Sequence, residues 1–107
     1  WFPAGFRAGS PETIAQMKAI FMTTDPGGYV ACCEAIRDMD FRASNPSIKA
    51  QTLVIVGAQD PATPPAQGEA IAAQIPGAKV ASLDAAHIAN MEQPAAYTET
   101  VVNFLKS

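Results

Sequence analysis

A chain of 107 residues with a formal charge of −3, 49% apolar and only 16% charged, has room for one domain and too little charge for disorder or nucleic-acid binding. Its longest apolar run, TLVIVGA at 52–58, is of strand length and far short of the roughly 18 residues that cross a bilayer, so no membrane partner is expected. One histidine and two adjacent cysteines make no ligand set of metal-binding spacing, and no glycine loop follows a phosphate-cradling pattern; neither a metal nor another cofactor is expected.

The chain opens WFPAGFRAGS, without the basic start and apolar core of a signal peptide and without an initiator methionine, and is expected to be a piece of something longer. From there SPETIAQMKAIFMTTD predicts a helix. Ser10 stands at the N-cap, Pro11 takes the first helical position, and Ile14, Met17, Ile20 and Phe21 recur at helical spacing. DPGGYVACCEAIRDMD repeats the plan with Asp25 as cap, Pro26 at the start, and Tyr29, Cys32, Cys33 and Ile36 on the apolar face. Faces this rich in Met, Cys and aromatics suit ordinary packing; the sharper alternative is a wall around an apolar ligand. Cys32 and Cys33 are too close along the chain for an ordinary disulfide, and as reduced thiols they point to a cytoplasmic protein.

RASNPSIKA is polar and loop-like, and the texture changes after it. QTLVIVGA is a continuous β-branched run, as expected of a strand buried on both faces in a parallel sheet. PPAQGEAIAAQIPG reads as an alanine-rich helix ended by Pro76-Gly77, and AKVASLD as a second strand. QPAAYTETVVNFLKS reads as a closing helix with Tyr97, Val101, Phe104 and Leu105 as its buried stripe. Strand, helix, strand, helix predicts a βαβα unit over 46–107 in an α/β fold, preceded by helices over 1–45. Two strands alone leave sheet edges uncovered. The chain is therefore expected to need further strands or, in isolation, to form a homo-oligomer.

The chemistry follows from that topology. A right-handed crossover makes the strands parallel, so their carboxyl ends emerge at one rim, where open α/β sheets bind ligands. The first strand runs into GAQDPATPP, which carries Asp60; the second runs into DAAHIANMEQP, which carries His87. Neighbouring strands lie about 5 Å apart, so the carboxylate and the imidazole come within reach of each other. Such a pair serves acyl transfer: the acid fixes one ring nitrogen and the other takes a proton from a nucleophile. Acid before histidine is also the chain order of α/β-hydrolases. Asp84 is the rival acid, with a loop-backbone cap as its ordinary role, and Glu92 is expected to cap the helix that follows. The plain alternative for a lone histidine is a satisfied structural one.

These residues carry a resemblance. The stretch from IKAQTLVIVGAQDP through AAHIANMEQP to NFL, residues 48–105, is similar to the C-terminal end of an α/β-hydrolase. More narrowly it resembles the 3-oxoadipate enol-lactonase branch, whose members open the enol-lactone of the β-ketoadipate pathway. TDPGGYVACCEAIRDMDFR is similar to the end of that branch's helical cap. The patterns G-x-x-D-P…P-P and A-x-H-x-x-N-x-E-x-P recur across many hydrolases, whereas the likeness to the branch lies in the sequence as a whole.

The resemblance implies a cap remnant over 1–45, the C-terminal βαβα part of the core over 46–107, Asp60 as triad acid and His87 as triad base. It implies a small lactone or ester substrate and no cofactor. It also implies a nucleophile on a G-x-S-x-G turn, yet none of Ser10, Ser44, Ser47, Ser82 and Ser107 is flanked that way. The chain is thus expected to need the missing N-terminal part of its own hydrolase domain and to be inactive alone. Another carboxylesterase or haloperoxidase-like hydrolase, or a non-catalytic binding module, are the alternatives. The branch's lactone carries a carboxylate, for which Arg7, Arg37 and Arg42 are candidates, each otherwise an ordinary surface arginine.

Overall fold

The computed structural model describes all 107 residues. Three helices fill the N-terminal part: α1 (Ala4–Gly9), α2 (Pro11–Met22) and α3 (Pro26–Asp38). The prolines at 11 and 26 open α2 and α3 as expected, and the Asp25 carboxylate caps α3 by accepting from the Gly28 N–H at 2.6 Å. Ser10 departs from expectation. It sits between α1 and α2, its N–H closes α1 on Phe6 O at 2.9 Å, and its side chain makes no capping bond. Because one residue serves both helix ends, its backbone takes a conformation (φ −133°, ψ 54°) unlike that of an ordinary N-cap.

A 3₁₀ turn (Asn45–Ser47) leads into β1 (Leu53–Gly57), followed by α4 (Pro65–Ala72), β2 (Lys79–Leu83), α5 (Ala89–Glu92) and α6 (Pro94–Lys106). The expected βαβα order holds, with α5 as an unforeseen single turn in the segment read as a loop. β1 and β2 pair in parallel, Leu53 opposite Lys79 through Gly57 opposite Leu83. Parallel strands need a crossover, which α4 supplies, and Gly77 makes the turn into β2 in the left-handed region at φ 74°. Helix α4 seats on β1 through Gly68, where any Cβ would overlap Val56 Cγ1 and crowd Val54 Cγ1 at 3.2 Å.

The core is small: Val56, Leu83, Ala85 and Ala86 gather at the carboxyl ends of the strands, while Ala72 and Ile75 lie at the end of α4 and in the turn after it. β1 is not buried on both faces as its composition predicts; Leu53, Val54 and Ile55 are only half-buried. A two-stranded sheet explains this, since each strand has one neighbour and one unpaired edge. Leu105 is likewise exposed (75%) rather than part of the α6 stripe, whose inward side is Tyr97, Val101 and Phe104. The three N-terminal helices contribute no buried residue at all.

Two measures agree on this openness. The radius of gyration is 15.8 Å, against about 13 Å for a compact domain of this length. The accessible surface is 7495 Å², against about 5,700 Å² for a compact chain of this mass. Much of the excess is apolar, including Ile20, Phe21, Met22, Ile36 and Phe41. No helix is long and apolar enough to cross a membrane.

Candidate active site

Both strands deliver their loops to the same rim, and backbone hydrogen bonds zip the two loops together. Ala58 N–H donates to Leu83 O at 2.8 Å and Gln59 N–H to Ala85 O at 2.9 Å, while Asp60 N–H turns back onto Gly57 O at 3.1 Å. The approach is tight enough to demand glycine at the end of β1. A Cβ on Gly57 would overlap the Ala86 carbonyl oxygen and stand 2.7 Å from that of Ala85.

This geometry brings Asp60 and His87 into contact. His87 Nδ1 lies 2.8 Å from Asp60 Oδ2, although 27 residues separate the two in sequence. The Asp60 side chain is buried and accepts from three further donors: the Thr63 hydroxyl on Oδ2 at 2.6 Å, and the N–H groups of Ala62 and Thr63 on Oδ1 at 2.8 and 3.1 Å. Burial works against the charged carboxylate. The donors from Thr63, His87 and Ala62 together outweigh it and hold the carboxyl well below the usual range. Asp60 is therefore ionised at neutral pH and can only accept. It follows that Nδ1 of His87 carries a hydrogen, and in the neutral ring Nε2 then holds the free lone pair.

The imidazole is held at its backbone as well. His87 N–H donates to Trp1 O at 3.2 Å, and the Trp1 ring lies tilted against the imidazole with centroids 5.9 Å apart. One residue earlier, the Ala86 N–H donates to Glu92 Oε2 at 2.8 Å. Glu92 therefore does not cap α6 as expected, because the single turn of α5 folds it back onto the histidine loop. Asp84 also differs from expectation: rather than capping loop backbone, its carboxylate accepts from Gln59 Nε2 at 2.6 Å and straps the two loops together. Its other tie runs from Gln93 Nε2 to the Asp84 carbonyl at 3.1 Å. The rival acid thus engages the acid loop rather than the imidazole.

His87, Asp60 and Thr63 border a groove of about 500 Å³ that runs along β1 to Tyr97. A second cleft of about 490 Å³ lies between α1, α2 and the N-terminal segment. Of the three candidate arginines, Arg37 pairs with Asp38 at 2.7 Å and Arg42 with Asp40 at 2.6 Å, all exposed, whereas Arg7 borders the second cleft.

Thr63 escaped the sequence reading, although its place three residues after Asp60 is that of a side-chain-to-backbone turn. Its hydroxyl is also 3.3 Å from His87 Nδ1, so one oxygen braces both partners. Thr63→Val should raise the Asp60 carboxyl toward the ordinary range, while Thr63→Ser should keep it low; a carboxyl NMR titration reads both. Because folding depresses this carboxyl, its stabilising contribution is fully present above the unfolded value of about 4. That contribution is lost as pH falls through the folded value, so Thr63→Val should also move acid unfolding to higher pH.

Residues 28–107 match a family described as TAP-like protein. Over 106 residues the chain is 37% identical to 3-oxoadipate enol-lactonase 2 of Acinetobacter baylyi, a match covering 99% of this chain and 40% of that protein. The crystal structure of the enol-lactonase from Burkholderia xenovorans superposes with a TM-score of 0.97 at 44% identity, covering all of this chain and 41% of that one. A thermophilic esterase from Thermogutta terrifontis superposes with a TM-score of 0.88 at 28% identity, over 97% of this chain and 39% of that one. The chain thus spans about 40% of the length of the relatives it matches.

Proposed function

The chain belongs to the TAP-like family of α/β-hydrolases, and from that membership we propose that it is the acid-and-base part of a serine-dependent hydrolase that opens 3-oxoadipate enol-lactone. Its strands and helices form the C-terminal portion of the fold. In this reading residues 46–107 complete the core, residues 1–45 end the helical cap, Asp60 is the triad acid and His87 the general base. The observation that carries it is the 2.8 Å bond between His87 Nδ1 and the buried Asp60 carboxylate, made where two parallel strands end. The enol-lactonases of Acinetobacter baylyi and Burkholderia xenovorans, 37% and 44% identical to this chain, support the choice of substrate.

The geometry supports a definite sequence of proton transfers. Asp60 holds the ring with Nδ1 protonated, so Nε2 removes the proton from a serine hydroxyl as its oxygen attacks the lactone carbonyl. The imidazolium is stabilised by the adjacent carboxylate. As the ring C–O bond breaks, Nε2–H protonates the departing enol oxygen, leaving an acyl-enzyme. Water then attacks the acyl carbon, His87 takes its proton, and the serine oxygen recovers that proton when the ester bond breaks. No serine of this chain sits on a G-x-S-x-G turn, so the nucleophile belongs to the rest of the domain. The unpaired strand edges suit further strands of that same domain better than a second copy. Cys32 and Cys33, both free and exposed, suit a reducing cytoplasmic setting.

The test is reconstitution. The 107 residues alone should leave the enol-lactone untouched, and the protein expressed from the whole reading frame should hydrolyse it, as followed by ultraviolet absorbance. Turnover by the 107 residues alone, or hydrolysis of simple esters with none of the lactone by the whole protein, contradicts the reading.

A further inference from the structure

We propose that Glu92 is a positioning residue for the general base: it holds the main chain that carries His87, while Asp60 holds the ring. The effect on catalysis rests on the hydrolase reading; the effect on the histidine does not.

His87 follows two peptide units that are each pinned from both sides. All peptide bonds are trans, so the C=O and N–H of one unit point in opposite directions. In the unit joining Ala85 to Ala86, the carbonyl accepts from Gln59 N–H at 2.9 Å and the N–H donates to Glu92 Oε2 at 2.8 Å. In the next unit, the Ala86 carbonyl abuts Gly57 too closely to admit a Cβ, and His87 N–H donates to Trp1 O at 3.2 Å. Opposed anchors resist both shift and tilt of a peptide plane, whereas a single anchor lets it swing. On its N–H side the first unit has Glu92 alone.

Water cannot take over from this carboxyl group, because Ala86 is only 3% exposed. Gln93 makes the contrast: its bond to the Asp84 carbonyl, at 3.1 Å, ends on an exposed residue where water can replace it. Glu92 reaches the buried N–H because α5 hangs on the residue after the histidine. The N–H groups of Met91 and Glu92 both donate to Ile88 O, at 3.0 and 3.1 Å, which closes the loop from Ala86 to Glu92 into a ring. Without the acceptor, the orphaned N–H favours any tilt that finds it a partner, and that tilt carries the His87 Cα with it. The bond from Nδ1 to Asp60 then lengthens, and Nε2 leaves its place beside the serine. Glu92 does not line the groove beside His87, so the loss should fall on kcat and spare KM.

The test uses the protein expressed from the whole reading frame. Lactone kinetics are measured beside the Nδ1–H signal of His87 in proton–nitrogen NMR, assigned by its loss in His87→Ala. Glu92→Met fills a similar volume without an acceptor, whereas Glu92→Gln still offers an amide oxygen to the Ala86 N–H. Glu92→Met should lower kcat by roughly 10- to 100-fold, leave KM within about threefold, and broaden or abolish the Nδ1–H signal. Glu92→Gln should keep kcat within about fivefold and retain the signal. Glu92→Asp, one methylene too short for the N–H, should behave as Glu92→Met and takes its place if that variant does not fold. Unchanged kcat and signal in Glu92→Met, a loss confined to KM, or an equal loss in Glu92→Gln each overturns the inference. A protein that hydrolyses no lactone defeats the hydrolase reading, and the signal then decides alone. Lost in Glu92→Met and kept in Glu92→Gln, it upholds the positioning role; any other pattern overturns it.

Discussion

Replacing His87 with alanine should lower lactone turnover by the complete protein by on the order of 10⁴- to 10⁶-fold, because the members of a triad act as a unit and the nucleophile has no other base. Stability should fall only modestly: the buried Asp60 carboxylate loses one donor but keeps the Thr63 hydroxyl and the Ala62 and Thr63 N–H groups, the imidazole is one-third exposed, and its backbone bond to Trp1 survives the substitution. Asp60→Asn should cost about 10⁴-fold for a different reason. The amide can still accept from the Ala62 and Thr63 N–H groups on one side, but toward His87 it offers a donor in place of an acceptor. That moves the ring hydrogen to Nε2 and blocks the base. Steady-state kinetics beside a thermal melt distinguish loss of chemistry from loss of fold, and His87→Ala with more than one-hundredth of normal turnover would defeat the assignment.

Gly57→Ala should damage both activity and stability, and so behave unlike His87→Ala. The new methyl would meet the carbonyl oxygens of Ala85 and Ala86, which are backbone atoms of the loop that carries the imidazole. Relief requires the loop to move away from the strand by about 1 Å, a displacement that typically costs about 10²-fold in rate when it falls on a reacting group. Overpacking at a buried site adds about 1–3 kcal/mol of lost stability. Rate and denaturation midpoint measured on the same variant decide it. An alanine variant with wild-type turnover would mean that the two loops need not approach this closely.

The pair at the heart of the site was legible because it depends on long-period features: two β-branched runs, a crossover long enough to make them parallel, and an acid and a histidine just past their ends. What escaped was short or tertiary. Helices α1 and α5 span six and four residues, too few for an apolar repeat to show. Thr63, Glu92 and Asp84 take their roles from partners that only the folded loops bring near: the Asp60 carboxylate, the Ala86 N–H and the Gln59 amide. Ser10 misled because its local signal is that of an N-cap, while the same residue also ends the helix before it. The exposure of Leu105 and the half-exposure of β1 share one cause, since apolar residues count as core only when something covers them.

The most direct measurement of the claim that Asp60 and His87 work as one device is a double-mutant cycle on kcat/KM with Asp60→Asn, His87→Ala and both together in the complete protein. A carboxylate that acts only through the imidazole predicts that the double variant is no slower than His87→Ala alone, within a few-fold. Losses that multiply, each substitution adding its full factor to the other, would show two independent groups and contradict the account.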